Sequence, residues 1–230
     1  PVVTDNVADD GSILDPVEVI ADGQDTNDNT PSVTIPAGQL QDGETPQLVV
    51  DGQVVPSTSV TSPDGSVILT PTDTLTDGEH EITYNVEDSA GNTSGNAPST
   101  TVGVDTQPPA EPTVTVSPEG DVKVTPGSDD TTEVTVDYTD ENGDDKTVVA
   151  IKDPATGEWT SEDPLPGGVT IDPTTGEVKI PTDDVDTSKD VTATGKDDAG
   201  NPAITIVTGD TEAPTQTTTI TNIVDDVAPQ

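Results

Sequence analysis

Short β-branched runs, broken at intervals by glycine turns, dominate the hydrophobic pattern of this 230-residue chain. In the first half the pattern predicts strands near 31–35, 47–51, 53–60, 66–70, 80–87 and 99–104. Asp42-Gly43, Asp51-Gly52, Asp64-Gly65, Asp77-Gly78 and Gly91-Asn92 punctuate them, each placing a left-handed-tolerant residue at a turn. In the second half the runs lie near 112–117, 121–125, 132–138, 146–152, 168–172, 177–180, 189–194 and 203–208. The turns there are Asn142-Gly143, Thr156-Gly157, Thr175-Gly176 and Gly200-Asn201. No window sustains a 3.6-residue period, and prolines interrupt most of them. Many short strands with regular turns predict an all-β chain of antiparallel sandwiches.

One stretch occurs twice, each time after a β-branched run. Asp105-Thr-Gln-Pro-Pro109 follows Thr101–Val104, and Asp210-Thr-Glu-Ala-Pro214 follows Ile204–Thr208. Proline fixes φ and pushes its predecessor toward extended geometry, so each copy reads as a stiff joint. The two joint aspartates are 105 residues apart, about the length of one Ig-like sandwich. The expected organisation is an Ig-like domain over 1–105, a second over 106–210, and a linker with the start of a third repeat over 211–230. Val3-Thr-Asp-Asn-Val-Ala8 matches Ile223-Val-Asp-Asp-Val-Ala228, and Val86–Asn92 aligns with Gly195–Asn201, placing Asp88 opposite Asp197. The chain therefore reads as a section of a repeat array. Residues 9–30, with six aspartates, look least strand-like: either a solvated acidic loop or a wrap ordered by cations.

Charge narrows the function. Thirty-three Asp and thirteen Glu face six Lys, no Arg and one His, a net charge of −40. Such a surface does not neutralise phosphates or anionic lipid, which excludes charge-driven binding to nucleic acid or membranes. No segment is long and apolar enough to insert in a membrane. With no Cys there is no disulfide or zinc-thiolate site, and a single His leaves catalytic triads without parts. Trp159, Tyr84 and Tyr138 are the only aromatics, too few to line a glycosidase cleft. An enzyme is not expected. His80 reads as a surface residue of its strand, Trp159 as a core or rim residue, and Tyr84 as a core tyrosine. The lysines read as partners for local carboxylates. Asp outnumbers Glu, the bias of tight loops that grip a hard cation.

Val3-Thr-Asp-Asn-Val7, Leu75-Thr-Asp-Gly-Glu-His80, Asp88-Ser-Ala-Gly-Asn92 and Asp105-Thr-x-x-Pro109 occur in an order that resembles bacterial Ig-like repeats of giant RTX-type and biofilm-associated surface adhesins. Pro166–Val178 resembles another Ig repeat of the same class. The resemblance covers nearly the whole chain. It implies extracellular modules at the bacterial surface that extend an adhesin, with calcium stiffening the joints. The partners it implies are neighbouring repeats of the same chain, and a host or biofilm surface reached through other domains; a monomer is expected. Two features depart from the pattern: the long acidic segment, and Val67 where many such repeats carry tryptophan. Asp25-Thr-Asn-Asp-Asn-Thr-Pro31 also matches a cadherin linker pattern, which we take as convergent calcium chemistry.

In an Ig-like sandwich the last strand ends beside the AB and EF loops, where the next domain presents its BC and FG loops. That places Asp105 with Asp73 and Asp77 of the EF loop and Asp25 and Asp28 of the AB segment, facing Asp197 and Asp198 of the second domain. By the same logic Asp210 joins Asp183, Asp184 and Asp186, facing Asp225 and Asp226 of the tail. Asp88, with Asp5, would serve a joint to a preceding domain. Calcium takes six to eight oxygen ligands in flexible geometry, so carboxylates from two domains can share an ion. The competing reading of each aspartate is a solvated surface carboxylate. The competing function is a carbohydrate- or protein-binding module, which would need an exposed aromatic or apolar patch.

Overall fold

The computed structural model describes residues 2–7 and 13–209, and the chain is all-β, with one short 3-10 turn at Thr182–Asp184. The first ten strands are β1 (Val2–Val7), β2 (Ile13–Ile20), β3 (Gln24–Thr26), β4 (Ser32–Ile35), β5 (Thr45–Val50), β6 (Gln53–Val54), β7 (Ser57–Thr61), β8 (Val67–Pro71), β9 (Gly78–Glu87) and β10 (Thr100–Val104). They form two five-stranded sheets, in the orders β2-β1-β4-β8-β7 and β3-β10-β9-β5-β6. Period-2 alternation turns one face of each sheet inward. Val3, Val33, Ile35 and Leu69 from the first sheet meet Leu48, Ile82, Val102 and Val104 from the second in one apolar cluster. This is the face-to-face packing of an Ig-like sandwich.

The remaining strands are β11 (Thr113–Val116), β12 (Val122–Thr125), β13 (Glu133–Thr139), β14 (Asp145–Lys152), β15 (Trp159–Thr160), β16 (Thr170–Ile171), β17 (Val178–Ile180), β18 (Val191–Lys196) and β19 (Pro202–Val207). They form a four-stranded sheet, β11-β12-β17-β16, and a five-stranded sheet, β15-β14-β13-β18-β19. A second core lies between these sheets, built on Val122, Val124, Val178 and Ile180 against Val134, Val136, Val148 and Ala193. Trp159 is 5% exposed and closes that core, while Tyr84 is partly buried against the first.

The expected turns carry positive φ at Gly43, Gly52, Gly65, Gly78, Gly91, Gly143, Gly157, Gly176 and Gly200. Two expectations need correction. Residues 9–30 are not one loop, because they contain β2 and β3. Both are edge strands, where a proline such as Pro16 and outward charge are tolerated, so the inward apolar signal is weak. The run expected over 53–60 divides into β6 and β7, which pair in different sheets. Among the described strands almost all pairing is antiparallel; the exception there is β3, which runs parallel to β10 with Asp25 opposite Gly103 and Thr26 opposite Val104.

Candidate functional site

The β3–β10 pair sets the exit end of the first sandwich. Beyond it the Asp105 N–H donates to the Thr26 carbonyl at 3.0 Å. Asp28, 1% exposed, then folds the following turn, its Oδ1 accepting from the Thr30 N–H at 2.8 Å and from the Thr30 hydroxyl at 3.1 Å. Asp77 holds the linker: Oδ1 accepts from the Thr106 N–H (3.1 Å) and hydroxyl (2.8 Å), and Oδ2 from Gln107 Nε2 (3.3 Å). Those donors keep the Asp77 carboxyl below the usual carboxylate range. Asp73 is exposed in the same loop.

The second sandwich meets this end with its β18–β19 turn. Asp197 grips Asn201 twice, Oδ1 accepting from the Asn201 N–H at 2.9 Å and Oδ2 from Nδ2 at 3.0 Å. So held, Asn201 Nδ2 also donates to the Asp105 carbonyl at 2.9 Å. In the other direction the Asn27 N–H donates to the Ala199 carbonyl at 3.1 Å. Two hydrogen bonds thus cross from one sandwich to the other, and they bury Asp197 (9% exposed) and Asn201 (6%).

Asp25 lies at this junction. Its carboxyl is pushed above the usual range by burial first, then by the negative charges of Asp198, Asp105, Asp197 and Glu79. Asp25 remains open to solvent on one side. Its side chain lies over Gly103: a Cβ there would sit 1.8 Å from Asp25 Oδ1. Among the described residues no three His, Asp or Glu side chains stand close enough to hold an ion unaided. The charged side chains that act on Asp25 are all carboxylates.

The structure thus brings Asp25, Asp105, Asp197 and Asp198 together and puts Asp28 and Asp77 beside them in supporting turns. Asp5 does not accompany Asp88. The Thr26 hydroxyl donates to Asp5 Oδ2, placing Asp5 at the exit end, because β1 runs antiparallel to β4, whose start is fed by the 26–31 turn. Asp88 lies at the other end of β9, about 30 Å away at 3.3 Å per residue. Asp184 Oδ2 accepts from the Gly168 N–H at 2.6 Å and Asp183 is exposed, both at the far end of the second sandwich. Asp186 caps Ser188 there through its N–H and hydroxyl. Asp210, Asp225 and Asp226 lie outside the described residues. Asn27, Asn201 and Gly103 were not singled out from the sequence. The repeated Asp-x-x-x-Asn spacing at 88–92 and 197–201 was the available signal for Asn201.

His80 is more enclosed than a surface position, with its side chain 11% exposed. Nδ1 lies 2.8 Å from Asp51 Oδ2 and Nε2 2.7 Å from the Thr76 carbonyl. Both partners are acceptors, so the doubly protonated ring satisfies both. Burial works against that charge, but the Thr76 carbonyl and Asp51 carboxylate outweigh it and raise the His80 pKa. The lysines pair locally, Lys123 with Glu177 at 2.7 Å and Lys179 with Asp121 at 2.8 Å.

These features define a class: two Ig-like β-sandwiches in tandem, tied by direct hydrogen bonds at an acidic junction. Residues 19–106 match the family model of a bacterial Ig-like domain, which spans most of the first sandwich. No curated protein sequence matches the chain. Among solved structures it is similar to a Bacteroides ovatus mixed-linkage glucan utilization locus protein, SGBP-B, solved with a mixed-linkage heptasaccharide, at 19% identity and a TM-score of 0.26. That match covers 82% of this chain and 43% of the other. It is also similar to latent PorU of Porphyromonas gingivalis (15% identity, TM-score 0.25, covering 83% of this chain and 19% of that one). Chicken VE-cadherin EC1-2 follows at 12% identity and a TM-score of 0.22, covering 78% of this chain and 90% of that one. These overlays are too loose to bear on function. No described helix is long and apolar enough to cross a membrane.

Proposed function

We propose that the chain forms extender modules of a large bacterial surface adhesin, outside the cell, with calcium at the joint between sandwiches. The observation that carries this reading is the crowding of Asp105, Asp197 and Asp198 around Asp25 at a junction already spanned by two hydrogen bonds. Like charges held together cost free energy, and a divalent cation removes that cost. Asp25, Asp105, Asp197 and Asp198 would hold the ion, with Asn27 as a further oxygen donor. The ion would supply electrostatic cross-linking, stabilising the ordered joint over the loose one by linkage. A cation-loaded joint would turn two tethered sandwiches into a rod that holds a distal binding domain away from the cell.

Small-angle scattering at fixed ionic strength, with millimolar calcium and after chelation, tests this. A longest dimension that shortens or broadens on chelation, and recovers on adding calcium back, is expected. An unchanged profile sinks the calcium mechanism and leaves rigidity to proline and packing.

A second reading, a binding module, is favoured by one observation. Val116 of β11 and Ile204 and Ile206 of β19 are 44%, 52% and 60% exposed on neighbouring edges of the second sandwich. Glycan-array binding that Ile206→Asp abolishes would support it over the extender reading.

A further inference from the structure

In the first sheet of the first sandwich, Val3, Ile20, Val33 and Leu69 turn inward, so their strand neighbours turn out. One outward row runs Val19, Thr4, Ser32, Thr70 and Thr58 across β2, β1, β4, β8 and β7. A second runs Val2, Thr34, Ile68 and Val60 across β1, β4, β8 and β7. Neither row holds a charged side chain, and Val2, Val19 and Val60 are 41%, 65% and 60% exposed. The hydroxyls are largely engaged within the sheet. Thr4 donates to the Ser32 carbonyl at 3.4 Å, Ser32 Oγ and Thr70 Oγ1 share a 2.7 Å hydrogen bond, and Thr58 donates to the Thr70 carbonyl at 3.4 Å. What this face offers outward is therefore valine, isoleucine and threonine methyls.

Charge decides what can lie on it. The outer faces of the other three sheets carry Glu81 and Glu87, Lys123 and Lys179, and Glu133 and Asp137. Two copies of a chain of net charge −40 repel, and contact through acidic faces or joints sets carboxylate against carboxylate. Pairing the two uncharged rows with their own counterparts sets none together. A sugar fits less well, because the face has no aromatic ring and its hydroxyls already have partners. Size then fixes the strength. With about 4.8 Å between strands and about 7 Å between outward rows, the face covers on the order of 300 Å². A stable complex buries roughly 800 Å² per partner, so this contact is weak and a dilute chain stays monomeric.

We propose that the outer face of the β2-β1-β4-β8-β7 sheet is a side-to-side contact surface for the same face of a second copy of this chain. The two sheets pack face to face, methyl against methyl, as the inner faces of each sandwich do. One such contact is transient. Chains held side by side at high local concentration would make several at once, and the contacts would then reinforce one another. The surface lies along the flank of the first sandwich and uses neither the joint nor calcium.

Methyl spectra of the full chain, in chelator, from dilute to millimolar concentration, test this. The methyls of Val2, Val19, Val60 and Ile68 are expected to shift together with concentration. Added salt should strengthen the effect, because it screens the repulsion of the remaining surface. Val19→Asp combined with Val60→Asp should weaken association about tenfold by setting like charges together. Val54→Asp, which adds charge at an exposed valine of the other sheet, should leave it unchanged. Urea midpoints check that each variant folds. A copy carrying Val19→Lys and Val60→Lys, mixed with the aspartate copy, should restore the shifts, since either orientation of the paired sheets brings Lys against Asp. Shifts that are absent, that fall on other methyls, or that survive the double aspartate change overturn the proposal. Loss without recovery in the mixture also overturns it, because the face then serves a partner other than its own copy.

Discussion

At the residue scale, the joint depends on two short side chains with opposite requirements. A Cβ at Gly103 would meet Asp25 Oδ1, the end of an exposed side chain, so Asp25 would have to swing out of its place at the joint. Gly103→Ala should destabilise the first sandwich by about 1 kcal/mol, at the low end for overpacking, through displacement of the Asp25 side chain. Pairing it with Asp25→Gly should recover part of that loss, since the double change removes the clash; urea midpoints of the four proteins read the coupling. Asp25 itself predicts a crossover. Its folded pKa is raised, so ionisation of its carboxyl destabilises the fold as pH rises from the unfolded value of 3.8 through the raised one, and the penalty persists at neutral pH. Asp25→Asn should therefore raise the chelated protein's melting temperature at pH 7 while shrinking the gain on adding calcium. A calcium gain equal to wild type would remove Asp25 from the ion's ligands. Asn201→Ala withdraws the donor that bridges Asp197 and the Asp105 carbonyl, at a cost of about 1–3 kcal/mol where the groups stay buried.

At the element scale, edge strands and their turns decide how the first sandwich ends. The start of β9 is pinned from two sides by His80, through Asp51 of the β5–β6 turn and Thr76 of the β8–β9 loop. The next residue of that loop, Asp77, holds the linker through Thr106 and Gln107. Because the folded His80 pKa lies above its unfolded value of 6.5, its contribution is complete below that value. It is lost as pH rises through the raised folded value. The denaturation midpoint should therefore fall as pH rises above 6.5, and His80→Gln should flatten that fall. Burial works against ionisation of Asp51, the charged group facing the ring, but the hydrogen bonds from His80 and the Glu81 N–H outweigh it and its carboxyl is lowered. On the acid side, Asp64, Asp88, Asp153 and Asp172 are lowered by turn hydrogen bonds. Their stabilisation is present above the unfolded carboxylate value and disappears as pH falls through their folded ones.

At the scale of the whole molecule, two separate cores share one acidic joint; both are built chiefly on Val and Ile, and the second adds Trp159 and Tyr138. Small Val- and Ile-based cores leave modest stability, so an ion that binds only the ordered joint weighs heavily. Calcium at a hundredfold excess over its dissociation constant should add about 2.7 kcal/mol to the unfolding that disrupts the joint. Calorimetry in calcium and in chelator measures this. A gain that survives replacing Asp105 and Asp197 together by Asn would place the ion elsewhere.

The sequence alone determined the strands whose apolar positions alternate, the glycine turns between them, and the all-β class, because period-2 burial and positive φ are local demands. Ig-like loop topology led it to expect Asp105 with Asp73, Asp77, Asp25 and Asp28, facing Asp197 and Asp198, of which Asp105, Asp197 and Asp198 act electrostatically on Asp25. It did not reveal β1, β2, β3 or β15; β2, β3 and β15 are edge strands, which bury little and so leave little pattern, whereas β1 lies inside its sheet. Only the tertiary structure set Asp5 beside Thr26 rather than Asp88, paired Asp25 with Gly103, and carried the Asn201 side chain to the Asp105 carbonyl. Those contacts join residues 21 to 96 positions apart. Sheet pairing and the docking of one sandwich on the next decide them, and no local periodicity records either.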